Sequence, residues 1–95
     1  MNKYEAMFII KPDLSEEDKK LVFEQIAEAI TKNSGKISQA AVWSEKKKLA
    51  FSIKKFQEGT YYLVNFDLGT QALEKIRYAY KLNESIIRLL IIKIS

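Results

Sequence analysis

The sequence contains no cysteine and no histidine. Without these side chains the chain cannot form a disulfide, a typical zinc site, a catalytic triad or a histidine acid–base pair. Only three glycines and one proline occur, and because the glycines are isolated they cannot form a glycine-rich phosphate loop. A hydrophobic fraction of 47% with so little glycine and proline also argues against disorder. We therefore expect a folded domain with no catalytic residues, no metal site and no cofactor.

Long hydrophobic runs and a secretory leader are missing as well. No apolar stretch approaches the length that spans a membrane, and no basic start leads into an apolar run with a small-residue cleavage site. These features predict a cytoplasmic protein without a membrane partner. The 95 residues are enough for one domain, residues 1–95, and too few for two.

The first half of the chain shows a strand, a helix and a second strand. Apolar and polar residues alternate over residues 4–10, which is the period of a strand. Ser15 then precedes three acidic residues and apolar residues at helical spacing, so it is predicted to cap a helix. Gly35 follows that helix and suits the left-handed position at its end. A second strand is predicted at residues 36–43.

The second half contains two further strands and a helix. Strands are predicted at residues 61–68 and 86–94, and between them a helix with Thr70 as its N-cap. Residues 49–53 also alternate, so the lysines before them lie either in an excursion within one long strand or in a loop. Residues 57–59, Gln-Glu-Gly, are interpreted as a turn before the third main strand.

The order β-α-β-β-α-β predicts an α+β domain of the ferredoxin-like class. Its four-stranded antiparallel sheet would have the strand order 2-3-1-4, and right-handed connections would place both helices on one face. The helix-facing positions then form the core, and they are predicted as Ala6, Phe8, Ile10, Val22, Ile26, Ile30, Val64, Phe66, Leu73, Ile76, Leu89 and Ile91.

The sheet face opposite the helices, which we call the open face, is predicted to be bare and apolar. A large exposed apolar patch usually marks a binding site for another protein. The predicted partner interface consists of Met7, Ile9, Tyr61, Leu63, Leu90 and Ile92.

Five lysines lie between Val42 and Phe56, although the net charge of the whole chain is only +4. Three of them are consecutive and form what we call the lysine run, Lys46–Lys48. Aromatic residues flank it, Trp43 before and Phe51 after. A solvated hairpin is the ordinary explanation of a basic triplet, and contact with a polyanion such as RNA is the functional one.

Arg88 is a second charge that needs an explanation, because the strand around it is almost entirely apolar. A charge in such a strand is costly unless it faces water or a partner. Arg88 is therefore either a protection of an edge strand against aggregation or a contact to a partner.

Two other functions of this topology do not fit. Acylphosphatase-like enzymes need a basic phosphate cradle after the first strand, where this chain has the acidic loop KPDLSEE. The carboxylates of that loop fall at a helix start, where they complement the helix dipole rather than hold a cation. An RNA recognition motif needs an outward-facing aromatic on the first strand, and the parity of Phe8 directs its ring into the core.

Four blocks of the sequence resemble the family of bacterial small-subunit ribosomal protein six. They are KYEAMFIIKPDLSEE, WSEKKKLAFSI, GTYYLVNF and LNESIIRLLIIK, and together they cover the whole chain in order. The second block departs from the family pattern: Ser44 replaces a glycine, one extra residue precedes Leu49, and Phe51 and Ser52 stand where tyrosine and often proline occur.

The resemblance implies a non-catalytic protein of the central domain, or platform, of the small ribosomal subunit. Such a protein binds small-subunit ribosomal RNA together with ribosomal protein eighteen, as a heterodimer, and has no small-molecule substrate. The alternative is a ferredoxin-like regulatory module that binds a protein or a ligand but no RNA. No function of a longer charged C-terminal tail is expected, because the sequence ends just after the last predicted strand. By this resemblance the residues that approach RNA are Lys3, Tyr4, Lys46, Lys47, Lys48, Arg88 and Lys93.

Overall fold

Four strands and two helices make up the regular structure of residues 1–94, the part of the chain that the computed structural model describes. The strands form one antiparallel sheet in the order β2-β3-β1-β4. Both helices pack against the same face of the sheet, so the predicted ferredoxin-like fold is confirmed. The elements are β1 (Asn2–Ile10), α1 (Glu16–Lys32), β2 (Lys36–Ile53), β3 (Phe56–Leu68), α2 (Leu73–Lys81) and β4 (Ile86–Lys93).

The core lies between the helices and the even-numbered positions of β1. Phe8 is fully buried at its centre, and its ring meets that of Tyr80 edge-on with 4.9 Å between the centroids. The parity argument for the core is therefore correct. Of the twelve predicted core residues, only Leu73 and Leu89 are partly exposed, and both still pack against the same cluster.

The ends of the helices agree only in part with the sequence-based expectation. Ser15 caps α1, and its hydroxyl accepts a hydrogen bond of 3.1 Å from the backbone N–H of Asp18. The left-handed residue after this helix is Ser34, with φ of 66°, and not Gly35 as predicted. Gly35 is needed for space instead, because a Cβ there would lie 2.8 Å from the carbonyl oxygen of Ile30. Thr70 does not cap α2; it begins a short 3-10 turn, and its hydroxyl accepts a hydrogen bond from the Asn2 amide.

The β2–β3 hairpin is longer than predicted. Its turn is formed by Lys54 and Lys55, whose φ angles of 49° and 73° match the positive pair of a type I′ turn. The prediction of a turn at residues 57–59 was wrong, since these residues belong to β3. The lysine run is an excursion within one long strand, because β2 continues to Ile53 through several shifts of register.

The far end of this hairpin folds over the open face. Leu49 packs with Ile9 and Ile87 in a small second cluster, and Ile53 and Phe56 lie against it. Ile9 is consequently only 8% exposed. The open face is therefore not bare along its whole length, and Ile9 must be removed from the predicted partner interface because the chain itself covers it.

A buried hydrogen bond joins the two helices. The Tyr80 hydroxyl donates to the carbonyl oxygen of Ile26 over 2.7 Å. Burial raises the pKa of Tyr80 well above its usual value, so the hydroxyl remains protonated and continues to donate. The bond holds α2 against α1, and it thereby sets the position of α2 beside β4.

The core assignment predicts that Phe8→Ala will lower the free energy of unfolding by about 3–5 kcal/mol, because a fully buried ring is replaced by a cavity. Urea denaturation followed by circular dichroism measures this loss. Leu90→Ala is the matched control on the neighbouring strand, since its side chain is 61% exposed, and it should change the value by only about 0.5 kcal/mol. A loss of less than about 1 kcal/mol for Phe8→Ala would show that this ring is not in the core.

Candidate nucleic-acid and partner-protein surfaces

The lysine run lies on an edge strand, because β2 ends the sheet on one side. Its three side chains are exposed, and the pairing of β2 with β3 is irregular on both sides of Lys47. The neighbouring carboxylate is Glu45, which accepts a hydrogen bond from the Lys19 ammonium of α1. This bond lowers the pKa of Glu45 and pairs the Glu45 carboxylate with the Lys19 ammonium. Among residues 1–94, no carboxylate lies within 4.0 Å of a lysine of the run, so its charge is available to a partner.

Trp43 and Tyr61 form an aromatic pair beside the run. Their ring centroids are 5.6 Å apart in an edge-to-face arrangement. The Lys47 ammonium lies over both rings, 4.5 Å from the centroid of Trp43 and 5.4 Å from that of Tyr61. Cation–π attraction therefore holds this lysine in place while Trp43 remains 58% exposed. The sequence places Trp43 beside the run but does not predict how exposed its ring is.

The other predicted RNA-contacting residues are dispersed. Lys3 is exposed but pairs with Asp67 over 3.6 Å. Tyr4 is only 3% exposed and stacks on Phe66 in the core, so little of its ring is accessible to RNA. Lys93 is opposite Tyr4 and thus lies on the helix side of the sheet.

Arg88 is separated from the lysine run by the width of the sheet. It is exposed and lies opposite Ile9 on β4, the edge strand on the other side. Along the strands, Ile9 pairs in turn with Tyr61, which pairs with Ser44. Arg88 and the run are therefore at the same end of the sheet but on opposite edges. The predicted cations do not form one patch.

The remaining part of the open face carries accessible apolar side chains. Leu90 is 61% and Ile92 48% exposed, and Met7, Tyr61 and Leu63 are partly exposed. A cavity of about 390 Å³ lies where this face meets the curled hairpin, and Phe51, 80% exposed, forms part of its wall. Phe51 was not among the predicted interface residues, although its position beside alternating apolar residues was a usable signal.

The comparisons with known proteins cover nearly the whole chain. A family model described as "Ribosomal protein S6" matches residues 3–93. The small ribosomal subunit protein bS6 of Thermoanaerobacter pseudethanolicus is 39% identical to this chain, and the match covers 98% of this chain and 97% of that protein. The bS6 protein of Clostridium acetobutylicum is also 39% identical, over 99% of this chain and 98% of that protein. The chain belongs to the ribosomal protein S6 family. The crystal structure of 30S ribosomal protein S6 from Thermotoga maritima superimposes with a TM-score of 0.89 at 32% identity, covering 97% of this chain and 86% of that one.

Membership of the S6 family confirms the resemblance drawn from the four sequence blocks. The protein is a structural constituent of the small ribosomal subunit, acts in translation on the cytoplasmic ribosome, and is not an enzyme. Residues 1–94 contain no cluster of three side chains that could hold a metal ion, and none of their helices has the length and apolarity to cross a membrane.

Trp43 is the only tryptophan, so its fluorescence can report on the charge around it. We expect the lysine run to increase quenching of Trp43 by iodide, because its three cations attract this anion. Quenching by acrylamide, which is neutral, should not depend on the run. The triple variant K46Q/K47Q/K48Q should lower the iodide quenching constant by about twofold at low ionic strength and leave the acrylamide constant unchanged. Lys20→Gln, an exposed lysine on α1, is the control. Equal iodide quenching in the triple variant and the parent would contradict the position of the run beside Trp43.

Proposed function

We propose that this S6-family protein binds small-subunit ribosomal RNA through its basic edges and ribosomal protein eighteen through its open face. The observation that carries the proposal is the position of Tyr61. Its ring lies under the Lys47 ammonium, and it also lines the apolar cavity of the open face. The basic edge and the apolar face are therefore adjacent, which favours a partner protein and RNA bound side by side.

The lysine run suits the phosphate backbone better than base edges. Lysine side chains are flexible point charges, and contacts to phosphate position a protein without reading sequence. Lys46 and Lys48 are exposed on an irregular edge strand, so they can follow a backbone of variable shape. Trp43 is the exposed aromatic nearest to these charges, and it can stack on a base without selecting one.

The open face suits a protein partner because a group of its accessible side chains is apolar. Met7, Leu63, Leu90 and Ile92 remain at this face after Ile9 is excluded. Each 100 Å² of apolar surface removed from water stabilises a complex by about 2.5 kcal/mol before the costs of association. Family membership argues against the alternative, a regulatory module without RNA binding, which predicts no salt-dependent affinity for RNA.

For RNA, we expect Lys47→Ala, Lys48→Ala and Arg88→Ala each to weaken binding and to flatten the dependence of log affinity on log salt by about one unit, because each change removes one phosphate contact. Filter binding to small-subunit ribosomal RNA across a salt series, with and without ribosomal protein eighteen, measures both effects. Lys20→Ala is the matched control, since this lysine is exposed on the helical side. If all three variants keep the salt slope of the parent, these three side chains are solvated and do not contact RNA.

For the partner, we expect Leu63→Glu to abolish the heterodimer and to weaken RNA binding, because it places a charge in the middle of the open face. The side chain is partly exposed and outside the core, so the variant should remain folded by circular dichroism. Leu21→Glu, on the exposed side of α1, should pair normally in analytical ultracentrifugation. Normal pairing of the Leu63→Glu variant would show that the interface lies at an edge of the sheet or on the helical side.

A further inference from the structure

A basic groove runs between α2 and the edge strand β4, and we call it the α2–β4 groove. Its first part is a cavity of about 290 Å³ near the hairpin turn. Four cations from three elements line it: Lys54 from the turn, Arg77 and Lys81 from α2, and Arg88 from β4. The other lining residues are apolar or aromatic, and none is acidic.

A second cavity, of about 360 Å³, continues the groove toward the other end of β4. Arg77 lines this cavity as well as the first and so joins the two. Lys93 lies here beside the polar side chains of Asn2 and Thr70, again without an acidic neighbour in the lining. From Arg88 to Lys93, five residues along a strand, the groove extends for about 17 Å.

The cations of the groove have few acidic neighbours among residues 1–94. Within residues 1–94, no carboxylate lies within 4.0 Å of Lys54, Lys81 or Arg88. Arg77 has one such neighbour, Glu74, at 3.6 Å, but the Glu74 side chain is 87% exposed and an ion pair of this kind contributes little. Arg77 and Lys81 are four residues apart and therefore share one face of α2.

We propose that the α2–β4 groove is a second phosphate-binding track for ribosomal RNA, on the sheet edge opposite the lysine run. The proposal rests on the RNA-binding function proposed above and deepens it. A row of cations with one exposed acidic neighbour, Glu74, matches a row of backbone phosphates, and the arginines at its middle and end can bind phosphate oxygens with two hydrogen bonds each. It also gives Lys93 and Arg88 a common role, although they lie on different faces of β4.

An RNA backbone fits this groove better than an acidic protein segment. The apolar surface suited to a protein is on the open face, whereas the groove lies along the edge formed by β4 and α2 and offers cations as its recognition groups. The ribosomal family of the chain makes RNA the polyanion that surrounds it.

The test compares two double variants of the whole chain, each bound to small-subunit ribosomal RNA across a salt series. R77Q/K81Q removes two charges inside the groove, and K20Q/K75Q removes two exposed lysine charges outside it. Both lower the net charge from +4 by two, so long-range attraction falls equally. The groove variant should lower the salt slope by about two units and the control by much less, while R77K/K81R should keep the parent slope. Thermal denaturation and pairing with the partner protein are measured for every variant.

The outcomes separate this proposal from the one on which it rests. A parent chain with no salt-dependent affinity for ribosomal RNA would defeat the proposed function itself. Binding by the parent with equal slopes for R77Q/K81Q and K20Q/K75Q would leave that function in place and overturn the second track. Loss of pairing with the partner protein in R77Q/K81Q, at an unchanged RNA slope, would also overturn it, because the groove would then hold an acidic protein surface.

Discussion

The packing of Ile9 under the curled end of the β2–β3 hairpin is the contact on which the α2–β4 groove and the accessible part of the open face both depend. Ile9 can lie there because Gly59 has no side chain: a Cβ at Gly59 would be 2.6 Å from the Ile9 side chain. Leu49 then closes over Ile9, and the end of the hairpin bends across the sheet toward β4. This bend brings Lys54 beside Arg88 and leaves the rest of the open face uncovered. One apolar contact thus positions the cations of one edge and limits the extent of the partner surface.

The alternation of apolar and polar residues along the strands predicted most of the fold, because consecutive residues of a strand lie on opposite sides of the sheet. It placed Phe8 in the core and Leu90 on the open face, and both positions agree with the structure. The turn was misplaced because Lys54-Lys55 carries no turn signal, whereas Gln-Glu-Gly does. The glycine of that triplet serves packing against Ile9, a contact between strands that local sequence does not reveal.

The site was less predictable than the fold. Residues were transferred from a family pattern one by one, and such a transfer says nothing of which edge each residue occupies. Tyr4 shows the difference, since its parity already placed it in the core while the pattern assigned it to RNA. Arg77 and Lys81, which belong to the proposed α2–β4 groove, were not predicted because charged residues on a helix are usually solvated. Their spacing of four was a signal, but only the position of α2 beside β4 gives it meaning.

The separation of charge from apolar surface bears on how the proposed partners assemble. The lysine run and Arg88 lie on the two outer strands, and the accessible apolar side chains lie on the face between them. A protein that covers this face therefore need not displace RNA from either edge, and its own basic residues would extend the charged surface. Any increase that such a partner causes in RNA affinity must be matched by an equal increase, caused by RNA, in affinity for the partner. The heterodimer and the RNA complex would then form as one coupled equilibrium, with Tyr61 at the boundary between the two surfaces.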